Sequence, residues 1–84
     1  MTSVQAPQIE QFIRERIADR LQVDLEAIAP ESDLIALGLQ SIDAVLLCGK
    51  IEDRFEIEVD PATIFQHATL ASFAAAVAQR QQDQ

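Results

Sequence analysis

The sequence predicts an all-α fold, a four-helix bundle with a short third helix and a long loop between helices one and two. Apolar residues recur at spacings of three and four in separate segments, as on the buried faces of helices. Two glycines and three prolines supply few of the tight turns that an all-β fold needs. The 84 residues suit one domain, residues 1–84, with an ordered core from about 8 to 79.

The first helix is expected from about residue 8 to residue 22, where apolar residues follow a helical period opposite a charged face. Residues 24–39 show no such period and contain Pro30, so they are predicted to form a loop. Gly38 suits a tight bend before the next helix. Four loop residues are expected to pin the loop to the core: Leu25, Ile28, Leu34 and Leu37.

The second helix is predicted to span Ser41–Phe55, with Ser41 as its N-cap and Asp43 in the first turn, where the helix dipole favours an acid. The third is predicted over Pro61–Gln66, with Asp60 as N-cap and proline at the first helical position.

The fourth helix is expected to begin after an N-cap at Thr69. Its apolar face would carry Leu70, Phe73 and Val77. Residues 79–84 form a polar tail for which no order is predicted.

The net charge of −8 disfavours binding to nucleic acid or anionic lipid. Its excess lies between residues 24 and 60, where ten acids face only Lys50 and Arg54. This pattern predicts a basic partner, and the alternative is a solvated acidic surface.

Neither a signal peptide nor an apolar run of about 20 residues is visible, so we expect a cytoplasmic protein without membrane insertion. Cys48, the only cysteine, permits no internal disulfide and is expected to be buried and inert. His67 is expected at the surface. No metal is assigned, and the carboxylates between Glu52 and Asp60 leave a weak divalent-ion site as an alternative to a solvated face.

The second helix carries two apolar stripes, whereas a helix in a small domain needs only one. Its core stripe consists of Ala44, Leu47, Cys48, Ile51 and Phe55. The other stripe lies about 150° around the axis and consists of Ile42, Val45, Leu46 and Gly49. We expect this second stripe to stay exposed and to bind a partner together with Gln40, Asp43, Glu52 and Asp53, unless the long loop covers it.

The stretch from Leu37 to Ile42, Leu-Gly-Leu-Gln-Ser-Ile, resembles the Gly-x-Asp-Ser-Leu/Ile attachment motif of acyl and peptidyl carrier proteins. The resemblance covers residues 8 to 79 and includes Asp33-Leu34 and the run from Glu52 to Phe55. The segment from Val59 to Phe73 is more similar to peptidyl and polyketide-type carriers than to those of fatty-acid synthesis.

This resemblance implies that Ser41 bears a covalent 4'-phosphopantetheine arm taken from coenzyme A. The protein would then be a carrier rather than an enzyme, holding acyl or other biosynthetic intermediates as thioesters in fatty-acid, polyketide or nonribosomal-peptide-type biosynthesis. It would act as a monomer, with partners in trans. These are a phosphopantetheinyl transferase, an acyl-loading ligase or synthetase, and acyltransferase or synthase enzymes with basic or apolar docking patches.

The alternative is an unmodified acidic helical adaptor, in which Ser41 is a plain helix cap and helix two binds a basic protein. Two residues depart from the family pattern. Gln40 stands where carriers usually have Asp, which predicts slower modification by an unselective transferase. Leu46 stands where fatty-acid carriers tend to place an acid, which favours partners that read apolar contacts.

Overall fold

The computed structural model describes the backbone of residues 6–82, and within them the chain forms four α-helices and no β-strand. These are α1 (Ala6–Leu21), α2 (Ser41–Phe55), α3 (Thr63–Gln66) and α4 (Leu70–Gln82). The all-α prediction is confirmed, with the short third helix and the long first loop in their predicted places.

The core is aliphatic, and Phe73 of α4 is its largest fully buried side chain. Helix α1 packs chiefly against α4. Helices α1 and α2 run antiparallel, because Arg20 meets Asp43 at one end while the rings of Phe12 and Phe55 lie 5.2 Å apart at the other. The fully buried aliphatic residues come from every helix and from the loops between them: Ile9, Ile13, Ile17, Ile28, Leu34, Ile51, Ile57, Ile64, Leu70 and Val77.

The long loop is tied to the connection between α3 and α4. The Leu34 N–H donates to the Ala68 carbonyl at 2.8 Å, and the Leu70 N–H donates to the Ser32 carbonyl at 3.1 Å. As predicted, Ile28 and Leu34 are fully buried, and Leu37 packs against the core.

Leu25 differs from the prediction, since it is 38% exposed. It begins a single 3₁₀ turn, Leu25–Ala27, in which no residue is buried. Leu39, which lies outside the predicted set, is buried instead.

Helix α1 begins two residues before its expected start, and two other predicted helix boundaries are wrong. Helix α3 begins at Thr63 rather than Pro61, because the Thr63 N–H donates to the Asp60 carbonyl at 2.9 Å and closes a turn before the helix. Helix α4 continues to Gln82, so residues 79–82 are helical. In that last turn the Arg80 Nε donates to the Glu58 carbonyl at 3.1 Å, and residues 83 and 84 lie outside the described residues.

The expected cap of α4 is confirmed, because the hydroxyl of Thr69 accepts the Ser72 N–H at 3.2 Å. Gly38 takes φ = 113°, a conformation that side chains rarely adopt, which confirms the predicted bend before α2. Gly49 is different, since it lies inside α2 and a Cβ there would meet no atom within 4 Å.

The same substitution should therefore have opposite effects at the two glycines. We expect Gly38→Ala to lower the free energy of unfolding by about 1–3 kcal/mol, because alanine is strained at positive φ. Gly49→Ala should raise it by about 0.5–1 kcal/mol, because alanine favours helix and the site is open. Urea unfolding of both variants beside the parent chain measures this, and effects of the same sign would contradict it.

Candidate functional site

Ser41 is the first residue of α2, and its side chain is exposed. The predicted cap position is wrong by one residue, because the N-cap is Gln40, whose backbone is extended at φ −106° and ψ 172°. Ser41 is therefore the first helical residue of α2 and not its N-cap. Its hydroxyl forms no hydrogen bond with another described residue. It lies in the first turn, where the N–H groups of a helix have no intrahelical acceptors.

The start of α2 is held by the carboxylate of Asp43. Its Oδ2 accepts the backbone N–H of Gln40 at 2.9 Å, and its Oδ1 accepts Nε–H from Arg20, at the end of α1. One side chain thus caps the first turn of α2 and joins α2 to α1. We call these contacts among Asp43, Arg20 and Gln40 the joint at Asp43.

Asp43 is only 8% exposed, which corrects the expectation that it stands on the surface beside the second stripe. The hydrogen bond from Arg20 and then that from the Gln40 N–H hold the pKa of Asp43 below its ordinary 3.8. Asp43 therefore stays ionised inside the domain, where it stabilises the packing of α2 against α1.

The two stripes of α2 lie as predicted. Of the core stripe, Ala44, Leu47, Cys48 and Ile51 are buried, and Phe55 is half-buried. In the second stripe, Ile42 is 55% exposed, Val45 51% and Leu46 44%, and Gly49 is exposed as well. The long loop does not cover this stripe.

Gln40, Glu52 and Asp53 are also exposed, and the helical period places Glu52 and Asp53 on the same side of α2 as the exposed stripe. Phe65 of α3 is a further exposed apolar residue, at 52%, and sequence reasoning missed it. The short length of α3 could have predicted this exposure, because a helix of one turn buries a single residue, Ile64, and leaves Phe65 beside it outside the core. Whether these residues recognise a partner stays a prediction.

Cys48 and His67 lie where they were expected. Cys48 is a free thiol that is buried, and burial raises its pKa to about 11, helped by the charge of Asp60. It is therefore protonated and unreactive at neutral pH. His67 is exposed and lies 3.1 Å from the Ser72 hydroxyl.

Among the described residues, no three His, Cys, Asp or Glu side chains are placed to hold a metal ion together. Over the same range, no helix has the length and apolarity to cross a bilayer.

A protein-family model described as "Phosphopantetheine attachment site" matches residues 11–77, which is most of the chain and includes α2 with Ser41 at its start. The chain belongs to this family. Its members are carriers without catalytic activity of their own, and they bear covalently attached 4'-phosphopantetheine. The predicted family is confirmed.

Curated relatives agree. The chain is 49% identical over 57 residues to an acyl carrier protein of Phytoplasma mali, across 67% of this chain and 68% of that protein. It is 40% identical over 80 residues to phenyloxazoline synthase MbtB of Mycolicibacterium paratuberculosis. That alignment takes in 95% of this chain but only 7% of the synthase, so the likeness concerns one small part of a much larger protein.

Solved structures share the fold. A free-standing peptidyl carrier protein from an uncharacterised secondary metabolic pathway of Acinetobacter baumannii superposes with a TM-score of 0.83 and 25% identity, over 89% of this chain and 94% of that one. The HMG-ACPI domain of the CurA module from Lyngbya majuscula gives a TM-score of 0.82 over 99% of this chain and 84% of that one. At 22% identity, the second shows the fold alone.

The hydrogen bonds of Asp43 are expected to stabilise the fold in a pH-dependent way. Asp43→Asn should lower the free energy of unfolding at pH 7 by about 1–3 kcal/mol, because it removes a buried charge that accepts two hydrogen bonds. The folded pKa is depressed, so the stabilisation is present above pH 3.8, the unfolded value, and is lost as pH falls through the folded value. The gap between the parent chain and Asp43→Asn should therefore close in acid.

Asp53→Asn is the matched control, since it makes the same chemical change at an exposed position of the same helix. It should alter stability by no more than about 0.5 kcal/mol. Chemical unfolding of the three proteins between pH 7 and pH 3 tests this prediction. A loss of stability that is equal in both variants, or that does not depend on pH, would refute it.

Proposed function

We propose that Ser41 is the attachment site of the 4'-phosphopantetheine arm and that the protein delivers intermediates on it to partner enzymes. The observation that carries this proposal is an exposed hydroxyl on the first residue of α2. It lies within a motif, Gly38-Leu39-Gln40-Ser41-Ile42, that matches the family pattern at the glycine, the serine and the residue after it.

The residues around Ser41 fit an arm joined through a phosphodiester. The positive end of the α2 dipole and the unpaired N–H groups of its first turn favour an anion at this place. The nearest acid along the helix, Asp43, points inward and is compensated by Arg20, so it opposes a phosphate less than a free carboxylate would. When bound, the arm supplies a thiol that holds the cargo as a thioester.

The protein's own contribution is delivery. Tethering keeps an intermediate at high effective concentration near each partner's active site. The exposed stripe of α2 offers an apolar contact beside the arm, and Glu52 and Asp53 border it with negative charge. Partners with an apolar patch and a basic rim would complement this surface. We assign it to the phosphopantetheinyl transferase, a loading ligase or synthetase, and acyltransferase or synthase enzymes.

The pathway we favour is secondary metabolism of the nonribosomal-peptide or polyketide type. One similar protein is named a peptidyl carrier protein from a secondary metabolic pathway, and another is a phenyloxazoline synthase, to a small part of which this chain is similar. The exposed Leu46, in place of an acid on α2, supports partners that read apolar contacts. We also propose that the working form is a cytoplasmic monomer, since a net charge of −8 opposes self-association.

Modification at Ser41 is tested by intact mass after incubation with coenzyme A and a broad-specificity phosphopantetheinyl transferase. We expect the mass to rise by one phosphopantetheine group. Ser41→Ala should gain no mass. Ser72→Ala, which removes the hydroxyl of a serine in α4, should gain the same mass as the parent chain. No gain on the parent chain would favour the unmodified adaptor, and a gain on Ser41→Ala would place the arm elsewhere.

A second test concerns Gln40, which is exposed beside Ser41 and carries no charge. In similar carriers an acid at this position is expected to help the transferase and its magnesium engage the serine. Gln40→Asp should therefore increase the initial rate of modification several-fold. It should leave the fold intact, since Asp is a good N-cap.

The rate should be measured by mass spectrometry at limiting transferase, with Gln40→Asn as the uncharged control of similar shape to Asp. Equal rates for the Asp and Asn variants would show that charge at position 40 does not set the rate.

A further inference from the structure

A cavity of about 290 Å³ lies between α1 and α2, beside the joint at Asp43. Its size is just below the range of about 300–1,000 Å³ that is typical of small-molecule pockets, so the ligand must be small. Four side chains from α1, α2 and the loop form its apolar walls: Ile17, Leu39, Leu46 and Leu47. The cavity is therefore partly open and mostly apolar.

The charged residues of this cavity are of the opposite sign to the protein. Arg16, Arg20 and Lys50 line it, which is half of the six basic residues of a chain whose net charge is −8. Asp43 is its one acid, and that carboxylate is already paired with Arg20 and with the Gln40 N–H. The local charge is therefore positive.

Two of the three cations have no acid to balance them. Among residues 6–82, neither Arg16 nor Lys50 forms an ion pair with a carboxylate. The Nε of Arg16 is also buried and has no hydrogen-bond acceptor, and a buried donor without a hydrogen bond costs stability. Arg16 stacks over the ring of Phe12, with its guanidinium carbon 5.6 Å from the ring centroid, and this contact limits its movement. Arg16 and Lys50 thus line one cavity with apolar walls, and neither is neutralised by a carboxylate of the described residues.

We propose that this cavity is a noncovalent binding site for an apolar monocarboxylate. The chain of such a ligand packs against the walls formed by Ile17, Leu39, Leu46 and Leu47. Its carboxylate lies at the rim and accepts hydrogen bonds from the terminal N–H groups of the Arg16 guanidinium and from the Lys50 ammonium, which are charge-assisted and therefore strong. A polar anion without an apolar chain lacks the wall contacts, and a neutral chain lacks the pairing at the rim.

The site is separate from the proposed arm. Ser41 does not line the cavity, and it lies about 180° around the α2 axis from Lys50. Binding therefore needs neither the hydroxyl of Ser41 nor its modification, and the proposal stands apart from the proposed function.

The probe is sodium octanoate, titrated at pH 7 into ¹⁵N-labelled unmodified protein and followed by two-dimensional NMR. We expect saturable shifts at the backbone amides of residues 16–20 and 46–50. Octanamide, which has the same chain without the charge, should bind at least tenfold more weakly. Acetate, which has the charge without the chain, should not saturate these shifts.

Three variants locate the site. Lys50→Gln should raise the dissociation constant for octanoate about tenfold, because it removes one charge-assisted contact. Arg80→Gln removes the same charge from α4, outside the cavity, and should change it by less than about twofold. Ser41→Ala should bind as the parent chain does.

Absence of saturable shifts, equal binding of octanamide and octanoate, saturation by acetate at the same amides, or no effect of Lys50→Gln would each overturn the proposal. Loss of binding in Ser41→Ala would also overturn it, since the ligand would then lie at the start of α2.

Discussion

The placement of α2 depends on a single buried carboxylate. Asp43 accepts the N–H of Gln40 across the first turn and the Nε–H of Arg20 from the end of α1. The first contact fixes where the helix begins, and the second fixes its position against α1. Both oxygens of Asp43 are used inside the domain, and Ser41, the first residue of the helix, is exposed.

The same constraint explains why α2 can have two apolar sides. With its start held against α1, the stripe of Ala44, Leu47 and Ile51 is buried. An 84-residue domain has too little chain to cover the opposite side as well. Ile42, Val45 and Leu46 therefore remain in solvent beside Ser41. Exposed apolar surface of this kind is tolerated where a partner uses it, which suits a carrier that visits several enzymes.

Much of this arrangement could be predicted from the sequence. The two stripes of α2 and its bounds followed from strong helical periodicity, which is a local signal, although its N-cap lies one residue before the predicted one. The direction of Asp43 did not, because its helical position lies between the two stripes. The residue that turns it inward, Arg20, is 23 positions away. Only the packing of α1 against α2 decides between partner recognition and internal pairing at that position.

The other differences also came from tertiary contacts. Leu25 reads as a core residue, yet it is exposed on a one-turn helix. The last turn of α4 has no apolar stripe, yet Arg80 reaches back to the Glu58 carbonyl. The cavity between α1 and α2 was not predicted for the same reason, since Arg16 and Arg20 of α1 meet Lys50 of α2 only after folding.

The most direct measurement is peptide mapping by tandem mass spectrometry on the protein isolated from its own cells. The fragment that spans residues 37–42 should carry a phosphopantetheine group, and fragmentation should locate it on the serine oxygen. Recovery of that fragment only in unmodified form, from protein that is otherwise folded and abundant, would contradict the assignment of Ser41 as the attachment site.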